Sequence, residues 1–202
     1  MLIGISGKAR SGKNTVGDMI LYCIWRKETK QEDFGYDHFL KNLHVVKEYA
    51  ENNKLNLISF AYLLKKCISI FIPSIPEDYE STEFKNSTID WLGMTVRELL
   101  QKFGTGIRES VDKYFWVKAL FAVYNKNEDY IITDVRFITE ADEIKNRNGI
   151  ILRINREKAG AGNHISEIEL DNYKFDYIIN NNNSLEELLQ DVYLFCLKYK
   201  LI

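Results

Sequence analysis

Leu2-Ile3-Gly4-Ile5-Ser6-Gly7-Lys8-Ala9-Arg10-Ser11-Gly12-Lys13-Asn14-Thr15 is the stretch that sets the fold. Its first five residues are short, apolar and partly β-branched, as a strand buried on both faces requires. Two glycines, Gly7 and Gly12, and then Lys13 follow at the spacing GxxxxGK. From Lys13 to Arg26 the apolar residues Val16, Met19, Ile20, Cys23 and Ile24 form one stripe at helical spacing. Strand, glycine loop and helix in that order give the motif its meaning, because the glycines let successive N–H groups turn inward and the helix start adds partial positive charge.

Such a loop cradles a polyphosphate. Gly7, Lys8, Ala9, Arg10, Ser11, Gly12, Lys13, Asn14 and Thr15 are therefore the expected nucleotide-binding residues, with ATP as the expected ligand. Lys13 is expected to reach the β- and γ-phosphates and to offset the charge of the group being transferred. Asn14 stands where Ser or Thr usually ligates Mg²⁺, and its carbonyl oxygen suits a metal-bound water. The bland alternative is a strand-to-helix turn without a ligand.

Four further segments resemble buried parallel strands: Leu55 to Phe60, Tyr130 to Thr133, Ile150 to Ile154 and Tyr177 to Ile179. Helical patterns lie at Thr95 to Phe103, Tyr114 to Tyr124, Thr139 to Asn146 and Ser184 to Tyr199, with a weak one between His38 and Glu51. Ser184 and Glu187 form a capping-box pair at the last of these. Strands alternating with helices predict an α/β chain with a five-stranded parallel sheet flanked by helices in three layers. The reading is one domain over 1–202, with an inserted part at about 66–125 and a short lid at about 155–167. The lid assignment rests on Arg156, Lys158, Gly160, Gly162 and His164, a mixture of cations and glycines after a strand. An ordinary exposed turn is its alternative, and Asn180 to Asn183 is read as a short polar turn.

Asp134 closes the strand Ile131-Ile132-Thr133. An acid at this place in a phosphate-loop protein orients the metal or its water shell, so Asp134 joins Asn14 as a metal candidate, with contact expected through water. Arg136 lies two residues on and is expected to point the same way, with a planar fork suited to phosphate oxygens. Lys13, Asp134 and Arg136 are the catalytic candidates. Arg97, Arg108, Arg153 and Arg156 are further cations expected to flank the cleft.

Bulk composition excludes several classes. A formal net charge of −2 leaves no global field for nucleic acid or an anionic membrane, so any anion must be held locally. Cys23, Cys67 and Cys196 are odd in number and widely spaced, which suits buried residues in a reducing compartment rather than a disulfide frame. Met1 to Ser6 shows no basic leader, and no apolar run approaches the ~20 residues of a membrane span. A cytoplasmic protein is expected.

Five segments in order resemble the deoxynucleoside monophosphate kinases of bacteriophages and, more distantly, the phosphomevalonate kinases of animals. They are GKARSGKNT at Gly7 to Thr15, SFAYLLK at Ser59 to Lys65, TVRELLQKFGTGIRE at Thr95 to Glu109, ITDVRFITEAD at Ile132 to Asp142, and HISE with FDYIINN near the C-terminus. The resemblance implies a P-loop kinase that uses ATP and Mg²⁺ to phosphorylate a deoxynucleoside monophosphate to its diphosphate, in the host cytoplasm if the chain is viral. It implies that Phe60, Lys65, Arg97, Gln101, Thr105, Arg108, Trp116 and Arg136 serve the acceptor. It also places adenine near Asn180, with Arg156 on the donor side. Asn14 and Tyr62 depart from the family's usual Asp at those positions. ATP and a deoxynucleotide are the implied partners, without nucleic acid or membrane, and a homodimer is left open. The alternatives are a P-loop kinase for another phosphorylated small molecule, of dephospho-coenzyme A or phosphomevalonate type, and a non-catalytic ATP-binding switch. The switch lacks support from a guanine motif, because Asn125-Lys126-Asn127-Glu128 ends in Glu and precedes a strand.

Overall fold

Ile3 and Ile5 project to one side of the first strand and Leu2 and Gly4 to the other, and this alternation organises the layers. The structure, a computed structural model, describes residues 1–76, 81–157, 159 and 168–202. In chain order the described elements are β1 (Leu2–Ser6), α1 (Lys13–Glu28), α2 (Tyr36–Asn52), β2 (Leu55–Ile58), α3 (Ala61–Phe71), α4 (Thr82–Asn86), β3 (Thr88–Ile89), β4 (Met94–Thr95), α5 (Val96–Ser110), α6 (Phe115–Val123), β5 (Asp129–Val135), α7 (Ile138–Asn146), β6 (Ile150–Asn155), β7 (Tyr177–Asn180) and α8 (Leu185–Lys198). The chain divides into two compact units, one of residues 1–59 and 125–202 and one of residues 60–124.

In the first unit the described strands form a five-stranded sheet in the order β2-β5-β1-β6-β7, every pair parallel. β1 is central and buried throughout. Ile3, Ile5, Ile131, Leu152 and Ile154 pack with α1, α2 and α8 through Val16, Met19, Ile20, Val46, Leu189 and Phe195. On the opposite face α7 covers Gly4, where an added Cβ would stand 2.7 Å from Ile144 Cδ1 and 2.9 Å from Val135 Cγ2. Helices on both faces explain why these strands are continuously apolar. Each fully buried Ile or Leu contributes about 1.5–3 kcal/mol relative to exposure. The expected α/β sheet with flanking helices is what the chain adopts.

Several element ends differ from the sequence reading. β2 stops at Ile58, and Phe60 already has helical dihedrals (φ −60°, ψ −34°) at the start of α3. The second helix is longer than expected, because Phe39, Val46 and Ala50 give Tyr36–Asn52 a buried side. α1 extends to Glu28, where Arg26 and Lys27 face the negative end of its dipole and the Thr29 hydroxyl donates to Trp25 O at 2.7 Å. Cys23 and Cys196 are buried and unbridged, and a hydrogen bond with the Cys23 thiol, together with burial, pushes the Cys196 thiol upward.

The second unit has its own core: Leu64, Ile68, Ile72, Ile75, Ile89, Val96 and Trp116, with Leu99, Leu100, Phe103 and Ile107 of α5 packed against it. α3, α4 and the β3–β4 hairpin were not expected from the sequence. The hairpin turns through a 3₁₀ segment, Asp90–Leu92, and Gly93 at φ +65°, whose N–H returns to Ile89 O at 2.9 Å. α5 starts on a capping box: Thr95 Oγ1 accepts from Glu98 N at 3.2 Å, and Glu98 Oε2 accepts from Thr95 N at 2.8 Å. It runs on through Gly104 to Ser110, beyond the expected end at Phe103. A helical glycine costs about 1 kcal/mol against Ala, but here an added Cβ would meet Leu64 Cδ2 at 3.2 Å, so the small residue lets α3 approach. Among the described residues no helix is long and apolar enough to cross a membrane.

Candidate active site

The phosphate-loop residues lie in one unit and form a tightly specified turn. Arg10 and Gly12 have positive φ, +65° and +100°, and Ser11 N donates to Lys8 O at 3.1 Å. A Cβ on Gly7 would overlap Ser11 Oγ at 2.4 Å and Ile154 O at 2.7 Å, so only glycine fits. Lys13 is buried, and its Nζ donates to Gly7 O at 2.7 Å and Lys8 O at 2.9 Å. The ammonium is thus held against the loop's own carbonyls. α1 begins at Lys13 with no side-chain cap at Gly12, so the positive end of its dipole lies at the loop. Ser11 Oγ is buried and finds no hydrogen-bond partner among the described residues. Asn14 is exposed and Thr15 half-buried on the first turn, while Ala9 is half-buried in the loop.

Asp134 sits where β5 leaves its regular register with β1. Gly4 pairs with Ile132, yet Ser6 pairs with Val135, so one extra residue of β5 is accommodated beside Ile5. Such an irregularity re-aims side chains at a strand end. The half-buried Asp134 lies within this irregular step, level with the start of the phosphate loop. Arg136 follows the last strand residue, so strand alternation does not set its direction. The turn does: Glu140, buried at 4% exposure, accepts from Arg136 N at 2.7 Å and Phe137 N at 3.1 Å. A buried carboxylate receiving two backbone donors fixes that turn.

Arg153, expected beside the cleft, is an internal brace. It is buried and donates to Ser6 Oγ (3.1 Å), Asp171 Oδ1 (3.0 Å) and Asn155 Oδ1 (3.2 Å), with its guanidinium 5.2 Å from the Phe175 ring centroid. Lys8 Nζ reaches Asp171 Oδ2 at 3.3 Å, tying the loop to the same acid. Arg156 is exposed, and its Nη1 donates to Arg10 O at 3.4 Å. Asn180, exposed at the end of β7, accepts from Asn155 Nδ2 at 3.4 Å. Sequence reading missed Asn181, which is buried, donates from Nδ2 to Ser11 O at 2.9 Å and pairs its backbone N with Asn155 O at 2.7 Å. A run of four asparagines reads as solvent-facing, and its only signal was position, directly after an apolar strand. Lys158, Gly160, Gly162 and His164 of the expected lid, and the HISE segment, lie outside the described residues.

In the second unit Arg97, Gln101, Thr105 and Arg108 occur at steps of four, four and three along α5 and are all half-buried. That spacing aligns them in one polar stripe beside the apolar face formed by Leu100, Phe103 and Ile107. Arg97 Nε donates to Asn86 Oδ1 at 3.0 Å, which steadies the first member. Lys65 is buried on α3. Phe60 is buried with its ring 6.3 Å from that of Phe121. Trp116 lies in the core of this unit, and its Nε1–H is committed to Gly104 O at 3.0 Å.

The sequence model describing deoxynucleotide monophosphate kinase matches residues 46–192, well over half of the chain. The chain belongs to the deoxynucleotide monophosphate kinase family. Individual relatives agree. A putative deoxynucleotide monophosphate kinase of Acanthamoeba polyphaga mimivirus is 33% identical over 66% of this chain and 79% of its own. The deoxynucleotide monophosphate kinases of Escherichia phage RB69 and Enterobacteria phage T4 are 26% and 27% identical over 95% of this chain and 97% and 96% of theirs. The protein is therefore an enzyme of the kinase class built on a P-loop fold, acting on small-molecule nucleotide substrates.

Proposed function

We propose that this kinase transfers the γ-phosphoryl group of ATP to a deoxynucleoside monophosphate, giving ADP and a deoxynucleoside diphosphate. The observation that carries the reading is the phosphate loop itself, with Lys13 Nζ folded onto Gly7 O and Lys8 O and two left-handed residues curling the backbone around it. In the reaction the bond from the γ-phosphorus to its bridging oxygen breaks, and ADP leaves with the electron pair. A phosphate oxygen of the acceptor forms the new bond. A phosphate monoester has a second pKa of about 6, so the acceptor is largely a dianion at pH 7 and needs no general base. Positioning and charge neutralisation are what the protein must supply.

Residues 7–15 hold the donor phosphates, with Lys13 offsetting charge on the group in flight. Arg156 and Asn180 lie on the donor side, Asn180 near the adenine. Arg136, its turn fixed by Glu140, neutralises phosphate charge. The second unit serves the acceptor: Arg97 and Arg108 answer its phosphate, Gln101 and Thr105 its base or sugar, and Phe60, Lys65 and Trp116 support that surface from within. The lid over the donor is assigned to about 155–167.

Among the described residues no group of three His, Cys, Asp or Glu side chains forms a metal cage. Mg²⁺ keeps several waters and takes one or two protein oxygens plus substrate phosphates. The exposed Asn14 and the half-buried Asp134 supply oxygens of the right kind. When bound, Mg²⁺ would neutralise the β- and γ-phosphate oxygens. The viral relatives support action in a host cytoplasm.

The test is ADP release from ATP in a coupled assay with each of the four deoxynucleoside monophosphates. At least one should be turned over far above the rate without acceptor, and Lys13→Ala should lower kcat by orders of magnitude while remaining folded. ATP binding without turnover of any monophosphate would favour the switch instead.

A further inference from the structure

We infer that Asn181 is a positioning residue that sets the direction of the Ser11–Gly12 peptide and so aims the Gly12 N–H at the donor phosphates. The inference rests on the reading of the loop as the ATP site. It begins with a buried amide: Asn181 is 6% exposed, and its Nδ2 donates to Ser11 O at 2.9 Å. In a trans peptide the carbonyl of one residue and the N–H of the next point in opposite directions. Holding Ser11 O towards Asn181 therefore turns the Gly12 N–H away from it. Among the described residues that N–H meets no acceptor, whereas the neighbouring Ser11 N–H is used within the loop on Lys8 O.

The contact is close and braced. A Cβ on Gly12 would stand 2.6 Å from Asn181 Nδ2, so the amide lies directly against the glycine backbone. Asn181 cannot drift, because its own N–H pairs with Asn155 O at 2.7 Å at the end of β6. Asn155 is in turn held by Arg153, which also binds Ser6 Oγ immediately before the loop. The ends of β1, β6 and β7 are thus joined around one peptide plane. A second carbonyl of the loop, Arg10 O, is held from outside by Arg156 at 3.4 Å. A side chain from the end of another strand thus takes part in preorganising the loop.

Two substitutions separate positioning from packing. N181A removes the donor. N181D keeps the shape but sets an acceptor against the Ser11 carbonyl, which favours rotation of the peptide so that the Gly12 N–H turns to the carboxylate. The readouts are Kd for ATP measured without acceptor, KM for the best deoxynucleoside monophosphate, Tm, and the Gly12 amide proton shift on adding ATP. N181A should raise Kd for ATP about tenfold and N181D more, with the acceptor KM changed less than about twofold. The ATP-induced Gly12 shift should shrink in both. Should N181D not fold, N181A still decides the matter. Variants that bind ATP as the natural protein does, with the same Gly12 shift, overturn the inference alone. A natural protein that binds no ATP overturns the kinase reading and this inference together.

Discussion

Replacing Gly12 by Ala adds one methyl group at the most constrained point of the loop. Gly12 has φ +100°, where an L-residue is strained by about 1–2 kcal/mol. The new Cβ would lie 2.6 Å from Asn181 Nδ2, against ordinary contacts that start near 3.4 Å. Relief requires the amide to withdraw by several tenths of an ångström. That amide is the tip of a side chain, but it is buried and bonded to Ser11 O at 2.9 Å. Losing the bond leaves a buried carbonyl unsatisfied at a cost of about 1–3 kcal/mol. The two terms together come to ~2–5 kcal/mol, which for a chain of this size lowers Tm by at least about 4 °C. The displaced peptide should also weaken ATP binding about tenfold or more, since one charge-assisted hydrogen bond to phosphate contributes about 1.5–3 kcal/mol. Thermal unfolding and an ATP titration measure both. A Tm within about 1 °C of the natural protein, with unchanged ATP affinity, would refute the claim that this glycine and Asn181 define the loop.

Arg136→Ala should lower kcat/KM about ten- to a hundredfold, the loss of one charge-assisted contact, and steady-state kinetics with the best acceptor check it. Trp116→Phe removes the indole N–H that adds a 3.0 Å bond to the helical carbonyl Gly104 O and should destabilise the 60–124 unit by about 0.5–1.5 kcal/mol in denaturant melts. Burial pushes the Asp18 carboxyl above its ordinary 3.8, outweighing the pull of Lys47, whose Nζ is 3.7 Å from Oδ1. The folded state then holds that proton more tightly than the unfolded chain, so ionised Asp18 costs stability at neutral pH. Asp18→Asn should raise Tm at pH 7, with a gain that shrinks as pH falls towards 3.8 and vanishes below it; an equal gain at both ends would contradict the assignment to ionisation.

The sheet was legible because its strands are buried on both faces and so read as unbroken apolar runs, β1 and β5 above all. The phosphate loop was legible because strand, glycines and helix leave few other uses for Lys13. α3 was not, since Ile68 and Ile70 are β-branched and follow an apolar strand without a glycine or proline to mark the break. The extent of α5 was hidden by Gly104 and Gly106, which signal an end locally, although Gly104 serves close packing with Leu64 and accepts the Trp116 bond. Arg153 and Asn181 were hidden for the opposite reason. Their polarity suggests solvent or ligand, and only the meeting of β1, β6 and β7 shows that Arg153 braces the strand ends and Asn181 holds a loop carbonyl. Asp134 was singled out from its place after an apolar run, while the register step in which it lies required the pairing of β1 with β5.

ADP release alone cannot tell transfer from hydrolysis, so the most direct measurement follows the γ-phosphoryl group itself. With [γ-³²P]ATP, Mg²⁺ and a deoxynucleoside monophosphate, the label should appear in the deoxynucleoside diphosphate in equal amount to the ADP formed. Label recovered only as inorganic phosphate, or retained in ATP with every monophosphate offered, would contradict the account.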